Sequence, residues 1–181
     1  MQVVSLLSLI EEASGNEEES EIEEYLSSFS CKNNEDVESF LRNKALDNEK
    51  RSITRTSLVI DEENNNEIIG YFTLLVKPFE FVEDVSKGSR KILTNNKNST
   101  VFNSILIAQL GRSDSYKGKV EGKTILEYAL ENCLLVNEIV GLRVVCIEYD
   151  DIPYLNDFYL ANDFKILQVN NNGKLLAYIR L

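Results

Sequence analysis

Histidine is absent from this chain of 181 residues, and so is tryptophan. The chain also has only two prolines, one methionine and three cysteines, Cys31, Cys133 and Cys146, which show no CxxC spacing. Without histidine, the usual zinc sites and every Ser-His or Cys-His nucleophile pair are excluded. We therefore expect no metal, and proton transfer must use a carboxylate, a tyrosine, a lysine, a cysteine or water.

Long apolar runs are also missing. No stretch of the sequence approaches the ~18 to 20 apolar residues that a membrane-spanning helix needs. The N-terminal stretch MQVVSLLSLIEEASG has no basic residue ahead of its apolar part, which argues against a secretory signal. The sequence therefore predicts a cytoplasmic protein without a membrane partner.

Positive charge is in short supply. The chain has 30 acidic and 19 basic residues and a formal net charge of −11. Because such a surface repels phosphate backbones, the charge argues against nucleic acid as a partner. The negative charge is compatible with a cationic or neutral acceptor. It is equally compatible with a charged surface that serves only solubility.

Hydrophobic spacing predicts helices, a hairpin, a loop and a strand, then a glycine-bearing loop, a helix, a strand, a short helix and a second hairpin. Asn33 or Asn34 is the expected N-cap of the helix at 36–46, and Gly141 is the expected left-handed cap after the helix at 123–140. The strand, helix and strand in the middle form a βαβ unit, so those two strands should run parallel. We expect one domain over 1–181, in which 1–24 is a peripheral helix and an acidic linker or helix face. The predicted helices cover 3–12, 36–46, 123–140 and 153–161; the predicted strands cover 56–60, 67–76, 101–110, 142–149, 164–169 and 174–181; residues 77–100 are expected to form a long loop or a short helical excursion.

The loop between strand 101–110 and helix 123–140 is the most informative segment. Gly118 and Gly122 allow a tight turn and a close approach of the backbone to a ligand. Free amides at a helix N-terminus bind anions. Four basic residues concentrate positive charge in this loop of an otherwise acidic chain: Arg112, Lys117, Lys119 and Lys123. The pattern fits a pyrophosphate site, although a glycine-bearing strand–helix turn without a ligand has the same features.

A second motif, FYLANDF at residues 158–164, follows one helix and one strand later. In this order, the glycine loop and the Phe-Tyr motif resemble the GNAT N-acetyltransferase superfamily, whose signature pairs a glycine-containing loop with a Phe-Tyr-x-x-x-Gly-Phe segment. The resemblance covers about residues 25–181. It implies a mixed α/β fold with a mostly antiparallel sheet, one parallel strand pair that splays apart, and helices on both faces.

The resemblance also implies an activity, namely the direct transfer of an acetyl group from acetyl-CoA (coenzyme A) to an amine in a ternary complex. The strand backbone at Ile107, Ala108 and Gln109 is expected to bind the pantetheine arm. Tyr159 is expected to protonate the leaving thiolate, since a phenol starts protonated at neutral pH. Loop amides are expected to bind the CoA pyrophosphate, and they belong to Tyr116, Lys117, Gly118, Lys119, Val120, Glu121, Gly122 and Lys123.

Three positions depart from the family pattern: Ser115 replaces an Arg or Gln, Val120 a Gly or Ala, and Asp163 a Gly. These departures favour an alternative, a degenerate acyl-CoA-binding or regulatory module without catalysis. Another alternative is a toxin-like acetyltransferase that acts on charged tRNA, against which the net charge speaks.

The acceptor is expected to be a small-molecule or protein amine, bound by variable loops that include residues 77–100. Glu148 and Glu80 are candidate general bases. Cys133 and Cys146 are expected to be small buried hydrophobes. The C-terminal segment KLLAYIRL is a candidate edge strand at which a homodimer can form.

Overall fold

The fold is described here from a computed structural model that covers residues 1–13 and 16–181, without the side chains of residues 16–18. These described residues form seven strands and seven helices, and a short 3₁₀ turn at Asp114–Tyr116 precedes the longest of these helices. The strands are β1 (Gln2–Ser5), β2 (Arg55–Asp61), β3 (Glu67–Glu80), β4 (Val101–Arg112), β5 (Val144–Tyr149), β6 (Lys165–Val169) and β7 (Leu175–Arg180). The helices are α1 (Leu6–Glu12), α2 (Asn16–Ser27), α3 (Glu35–Asn43), α4 (Ala45–Lys50), α5 (Lys87–Thr94), α6 (Gly122–Val140) and α7 (Pro153–Ala161).

The strands form one seven-stranded sheet in the order β1-β2-β3-β4-β5-β7-β6. Strands β1 and β2, β2 and β3, β5 and β7, and β6 and β7 pair antiparallel. Strands β4 and β5 pair parallel, through Ile105 with Val145 and Leu106 with Cys146. The predicted fold class, a mixed and mostly antiparallel sheet with one parallel pair, is therefore confirmed.

The chain divides into two compact units, and the first consists of Met1–Leu75 and Gln109–Leu130. Helix α3 begins where the Asn34 side chain accepts a hydrogen bond from the Val37 amide at 3.2 Å, which satisfies one of the helix's free donors. Val37 and Leu41, one helical turn apart, are buried. The Tyr71 hydroxyl donates to the Val37 carbonyl at 2.5 Å, and the Phe29 ring meets the Tyr71 ring edge-on. Helix α3 is thereby fixed to strand β3.

The second unit consists of Val76–Ala108 and Glu131–Leu181. Val144, Val145, Cys146 and Ile147 are all buried, as expected for a strand that is covered on both faces. Gly141 ends α6 in a left-handed conformation with φ of 73°, and its amide donates to the Asn137 carbonyl at 2.7 Å. This is the glycine cap that the sequence predicts.

Four of the sequence predictions need correction. The predicted helix 36–46 ends at Asn43, and a separate helix, α4, begins at Ala45. The predicted helix 3–12 begins only at Leu6, because residues 2–5 pair with β2. Strand β3 continues to Glu80, beyond the predicted end at residue 76, and α5 follows within the expected loop. The segment KLLAYIRL is not an edge, because β7 lies between β5 and β6. The edge at that end of the sheet is β6, and a homodimer stays a prediction.

The predicted acidic segment 14–24 is helical from Asn16, within α2, and residues 14 and 15 lie outside the described part of the chain. Among the described residues, no helix combines the length and the apolar character that a membrane span requires. The single domain expected over 1–181 stays a prediction.

Candidate active site

The loop that follows β4 is fixed by backbone contacts within the first unit. The Ser113 amide donates to the Ile69 carbonyl and the Asp114 amide to the Ser30 carbonyl, both at 2.8 Å. The Asp114 carboxylate accepts a hydrogen bond from the Lys32 amide at 2.9 Å. The segment after β4 is thus tied to β3 and to the segment before α3. We call residues 112–123 the basic loop, after the four basic residues that it contains.

Tyr116 anchors the basic loop through its side chain, which is buried. Its hydroxyl lies 2.9 Å from an Asp61 carboxylate oxygen and 3.2 Å from one of Glu67, and the Asn64 amide donates to it at 3.3 Å. Burial, together with the two carboxylates, raises the pKa of the Tyr116 phenol, so it stays protonated and donates. Asp61 and Glu67 face each other at the base of the β2–β3 hairpin. The side chain of Tyr116 therefore positions the loop.

The amides of the basic loop fall into two groups. Those of Tyr116, Lys117, Lys119 and Val120 donate to carbonyls within the loop, at 3.0 to 3.2 Å. Gly122 and Lys123 open α6, where backbone amides have no carbonyl partner inside the helix. The amides at the start of α6 are therefore the ones best suited to an anion.

The basic loop is exposed at its lysines and at Gly118. Lys117, Gly118, Lys119 and Lys123 are exposed. Gly118 has φ of 80°, and an added Cβ there would meet no atom within 4 Å. The loop is accessible to a ligand at this point, and its conformation favours glycine.

Val120 is held by its backbone. Its carbonyl accepts a hydrogen bond from the Arg112 guanidinium at 2.8 Å, its amide donates to Tyr116, and its side chain is half-buried. Ser115 is exposed, and its amide donates to the Ser113 hydroxyl at 3.4 Å. Glu121 is exposed as well. The β-branched residue at position 120 is accommodated without a positive φ.

The residues expected to bind the pantetheine arm lie in the second half of β4. Ile107 is buried, and Ala108 and Gln109 are half-buried. Ile107 and Ala108 belong to the second unit and Gln109 to the first.

Tyr159, on α7 in the second unit, lies in a cluster of aromatic rings. Its ring centroid is 4.7 Å from that of Tyr149, 5.0 Å from Phe158 and 5.8 Å from Phe164. Burial raises the pKa of the Tyr159 phenol above its usual value, and the neighbouring tyrosines add to the shift. The phenol is therefore protonated at neutral pH, the state that a proton donor requires.

Asp163 ends the α7 segment with φ of 66°. This is the left-handed region that favours glycine, and aspartate is among the few other residues that enter it at modest cost. The Phe164 amide then donates to the Tyr159 carbonyl at 3.1 Å. The backbone at position 163 has the conformation that the family's glycine would allow.

Sequence reasoning missed Tyr149, at the end of β5. Its hydroxyl is buried and has no hydrogen-bond partner among the described residues. A buried polar group without a partner in the protein is a candidate for contact with a ligand. The signal in the sequence is the tyrosine that ends a buried strand just before Asp150 and Asp151.

Glu148, a candidate base, is occupied by cationic and amide donors. Lys77 lies 2.7 Å from one carboxylate oxygen, and Asn170 donates to the other at 2.6 Å. Burial alone would raise the pKa of Glu148, but these donors outweigh it and lower the pKa. A carboxylate held ionised in this way is a weak base. The backbone carbonyl of Glu80, the other candidate, accepts from Gln168, and the Glu80 side chain is exposed.

The cysteines behave as expected. Cys133 and Cys146 are buried and Cys31 is half-buried. Burial raises the pKa of both buried thiols to about 12. Since the thiolate is the nucleophile, neither buried cysteine is a nucleophile at neutral pH.

Comparisons with known proteins identify the fold. AtaT complexed with acetyl-methionyl-tRNAfMet matches with a TM-score of 0.71 and 19% identity, over 97% of this chain and 92% of that one. AtaTR bound with AcCoA gives the same TM-score and identity over 99% and 92% of the two chains. A tyrosine-to-phenylalanine mutant of KacT matches with a TM-score of 0.68 and 20% identity, over 84% and 85%. No protein-family model and no curated protein matches the sequence. The GNAT-like fold is therefore shown by structure.

Proposed function

We propose that this protein is an acetyl-CoA-dependent N-acetyltransferase. The observation that supports the proposal most directly is the basic loop of a GNAT-like fold. This short segment contains both exposed lysines and the free amides at the start of α6. The fold neighbour AtaTR is bound to acetyl-CoA. The proposal keeps the cytoplasmic location and the single domain that the sequence predicts.

In this proposal, the basic loop binds the CoA pyrophosphate. The amides of Gly122 and Lys123 lie at the positive end of the helix dipole, which favours negative charge. Lys117, Lys119 and Lys123 supply charges that a diphosphate attracts. Tyr116 and Val120, whose amides are used within the loop, shape the loop and do not bind the phosphates through those amides.

The remaining site residues act on the thioester. The β4 backbone at Ile107, Ala108 and Gln109 orients the pantetheine arm. The acceptor nitrogen, after losing a proton to solvent, attacks the acetyl carbonyl carbon, and the carbon–sulfur bond breaks. Tyr159 gives its proton to the departing sulfur and regains a proton when the acetylated nitrogen loses its second one, so that the products are free CoA and an N-acetyl amine. Much of the rate then comes from holding the two substrates together.

Calorimetry with acetyl-CoA tests the proposal, with Val120→Gly measured in parallel. We expect micromolar binding by the wild-type protein, followed by acetylation in a screen of amine acceptors. Desulfo-CoA, which keeps the pyrophosphate and lacks the sulfur, and acetyl-pantetheine, which keeps the thioester and lacks the pyrophosphate, separate the contributions of the two ends. Binding by the glycine variant alone would show that Val120 has closed the site, and the chain would then be a degenerate module. Absence of binding by both proteins contradicts the proposal.

A toxin that acetylates aminoacyl-tRNA is the second candidate, because a fold neighbour, AtaT, is complexed with acetyl-methionyl-tRNAfMet. This neighbour also runs against the prediction that nucleic acid is an unlikely partner. The net charge of −11 opposes tRNA binding at physiological salt. Filter binding with charged and uncharged tRNA over a salt series separates the two functions: strong, salt-dependent binding favours the toxin.

A further inference from the structure

A pocket of about 530 Å³ lies within the second unit. It is lined by residues 77–83, by Glu148 on β5 and by the turn at residues 168–172. We call it the acidic pocket. Its volume is within the range of small-ligand sites, about 300 to 1,000 Å³.

The wall of the acidic pocket is built around Gln168, whose side chain is buried. Its amide nitrogen donates to the Glu80 carbonyl and to the Asn170 side chain, both at 2.8 Å, and its amide oxygen accepts from the Val82 amide at 3.2 Å. One amide thus holds the segment after β3 against the β6–β7 turn. A pocket held in shape before binding loses less entropy when a ligand arrives.

The charged residues of the lining favour a cation. Glu80, Glu83 and Glu148 contribute carboxylates, and Lys77 contributes the one ammonium group in the lining. The lining therefore has a net charge of two negative units. A polyanion such as the phosphate backbone of tRNA is disfavoured in such a pocket.

Within the lining, the carboxylate of Glu148 is already paired with an ammonium group. Lys77 lies 2.7 Å from Glu148, but its side chain is 41% exposed while that of Glu148 is 14% exposed. The Lys77 nitrogen also lies 4.7 Å from the centre of the Phe79 ring, which is close enough for a cation–π interaction. Asn170 and Asn172 donate to the other Glu148 oxygen, at 2.6 and 3.4 Å. Carboxylate and ring together form a binding position for an ammonium group.

We propose that the acidic pocket binds a small aliphatic amine, whose ammonium group replaces that of Lys77 between Glu148 and Phe79. The flexible and exposed lysine moves into solvent, and the fixed carboxylate takes the new partner. Resting on the proposed function, such an amine is the acetyl acceptor. The ammonium group gives one proton to solvent before its nitrogen bonds to the acetyl carbon. The carbon–sulfur bond then breaks, the CoA sulfur takes the proton of Tyr159, and the second nitrogen proton restores the Tyr159 phenol.

The first test uses the wild-type protein without acetyl-CoA. Cadaverine, a diamine, and pentanediol, a neutral molecule of the same length, are titrated separately and followed by amide NMR and calorimetry. We expect cadaverine to bind at least tenfold more tightly and to shift the amide signals of Glu148 and Gln168. Equal affinities, or shifts confined to other residues, overturn the proposal.

The second test examines the replacement of the Lys77 ammonium group by that of the bound amine. Lys77→Met removes the competing ammonium group, so cadaverine affinity should rise at least threefold, whereas Glu148→Gln should lower it at least tenfold. Lys174→Met is the matched control, because Lys174 pairs with Asp150 at 3.3 Å and does not line the pocket. An affinity that falls or stays the same in Lys77→Met contradicts the exchange, since a purely structural ion pair has no reason to raise it.

The outcomes separate this proposal from the proposed function. Cadaverine binding without acetyl-CoA binding supports the amine site in the acidic pocket and contradicts the proposed acetyltransferase activity. Acetyl-CoA binding without cadaverine binding supports the proposed activity and contradicts the amine site. Signal shifts at the same residues with charged tRNA, and none with cadaverine, overturn the assignment to a small amine.

Discussion

The two units position their candidate residues by different means. In the first unit, the basic loop is held by polar contacts, among them the Tyr116 hydroxyl with Asp61 and Glu67. In the second unit, Tyr159 is held by packing against the rings of Tyr149 and Phe164. Hydrogen bonds fix direction, whereas packing fixes position and leaves a hydroxyl free for chemistry. The comparison therefore predicts that the same change, tyrosine to phenylalanine, has different consequences in the two units.

The largest effect is expected for Tyr159→Phe. The ring contacts remain, so the free energy of unfolding should change by less than about 1 kcal/mol. If the phenol is the general acid, kcat for acetyl transfer should fall by about 100-fold or more. Steady-state kinetics and urea unfolding measure the two quantities. A loss of activity that follows a loss of stability would contradict a chemical role.

Tyr149→Phe is the matched control for that measurement. The Tyr149 hydroxyl is buried without a partner among the described residues. Burying such a group costs free energy that no hydrogen bond offsets, and removing the group removes this cost. We expect the free energy of unfolding to rise by up to about 1 kcal/mol. A drop in kcat together with this rise would identify the hydroxyl as a ligand contact.

The next effect is expected for Tyr116→Phe. The variant loses the hydrogen bonds to the β2–β3 hairpin and leaves Asp61 and Glu67 without their shared donor. We expect acetyl-CoA affinity to fall about tenfold, with kcat at saturating acetyl-CoA nearly unchanged. Calorimetry measures the affinity, and a kcat loss as large as that of Tyr159→Phe would remove the distinction between the two tyrosines.

A smaller effect is expected at Asp163, whose φ is 66°. Asp163→Val places a β-branched side chain in a left-handed conformation and should lower the free energy of unfolding by about 1 to 2 kcal/mol. Asp163→Gly, the control, should not lower it. Urea unfolding with both variants shows whether backbone conformation alone explains this departure from the family pattern.

The sequence predicted the regular elements well and the positioning contacts poorly. The βαβ unit, the glycine cap at Gly141 and the Asn34 cap depend on residues close together in the chain, and each of them is present. The contact of Tyr116 with Asp61 joins residues 55 positions apart, and no local sequence pattern predicts it. Likewise, β1 was missed because its four residues, of which only Val3 and Val4 are apolar, lie directly before a helix and have no pairing signal of their own.

The smallest effect concerns pH and compares two glutamates, the buried Glu49 of the first unit and the half-buried Glu148 of the second. Burial raises the pKa of Glu49, although the Thr56 amide and Arg55 oppose the shift. For Glu148, burial acts in the same direction, but Lys77 and the asparagines lower the pKa overall. A raised folded-state pKa contributes stability below the unfolded value, which is lost as the pH rises. A lowered pKa contributes stability above the unfolded value, which is lost as the pH falls through the folded-state value.

The two glutamates therefore predict opposite slopes when each is changed to glutamine. Relative to the wild type, the stability of Glu49→Gln should improve as the pH rises above 4.5, the ordinary pKa of glutamate. The stability of Glu148→Gln should worsen as the pH rises toward that value from below. Urea unfolding from about pH 3 to 7 gives both slopes. Parallel slopes for the two variants would mean that folding shifts the pKa values of both glutamates in the same direction. In that case Lys77 would not hold Glu148 ionised, and the ammonium position in the acidic pocket would lose its support.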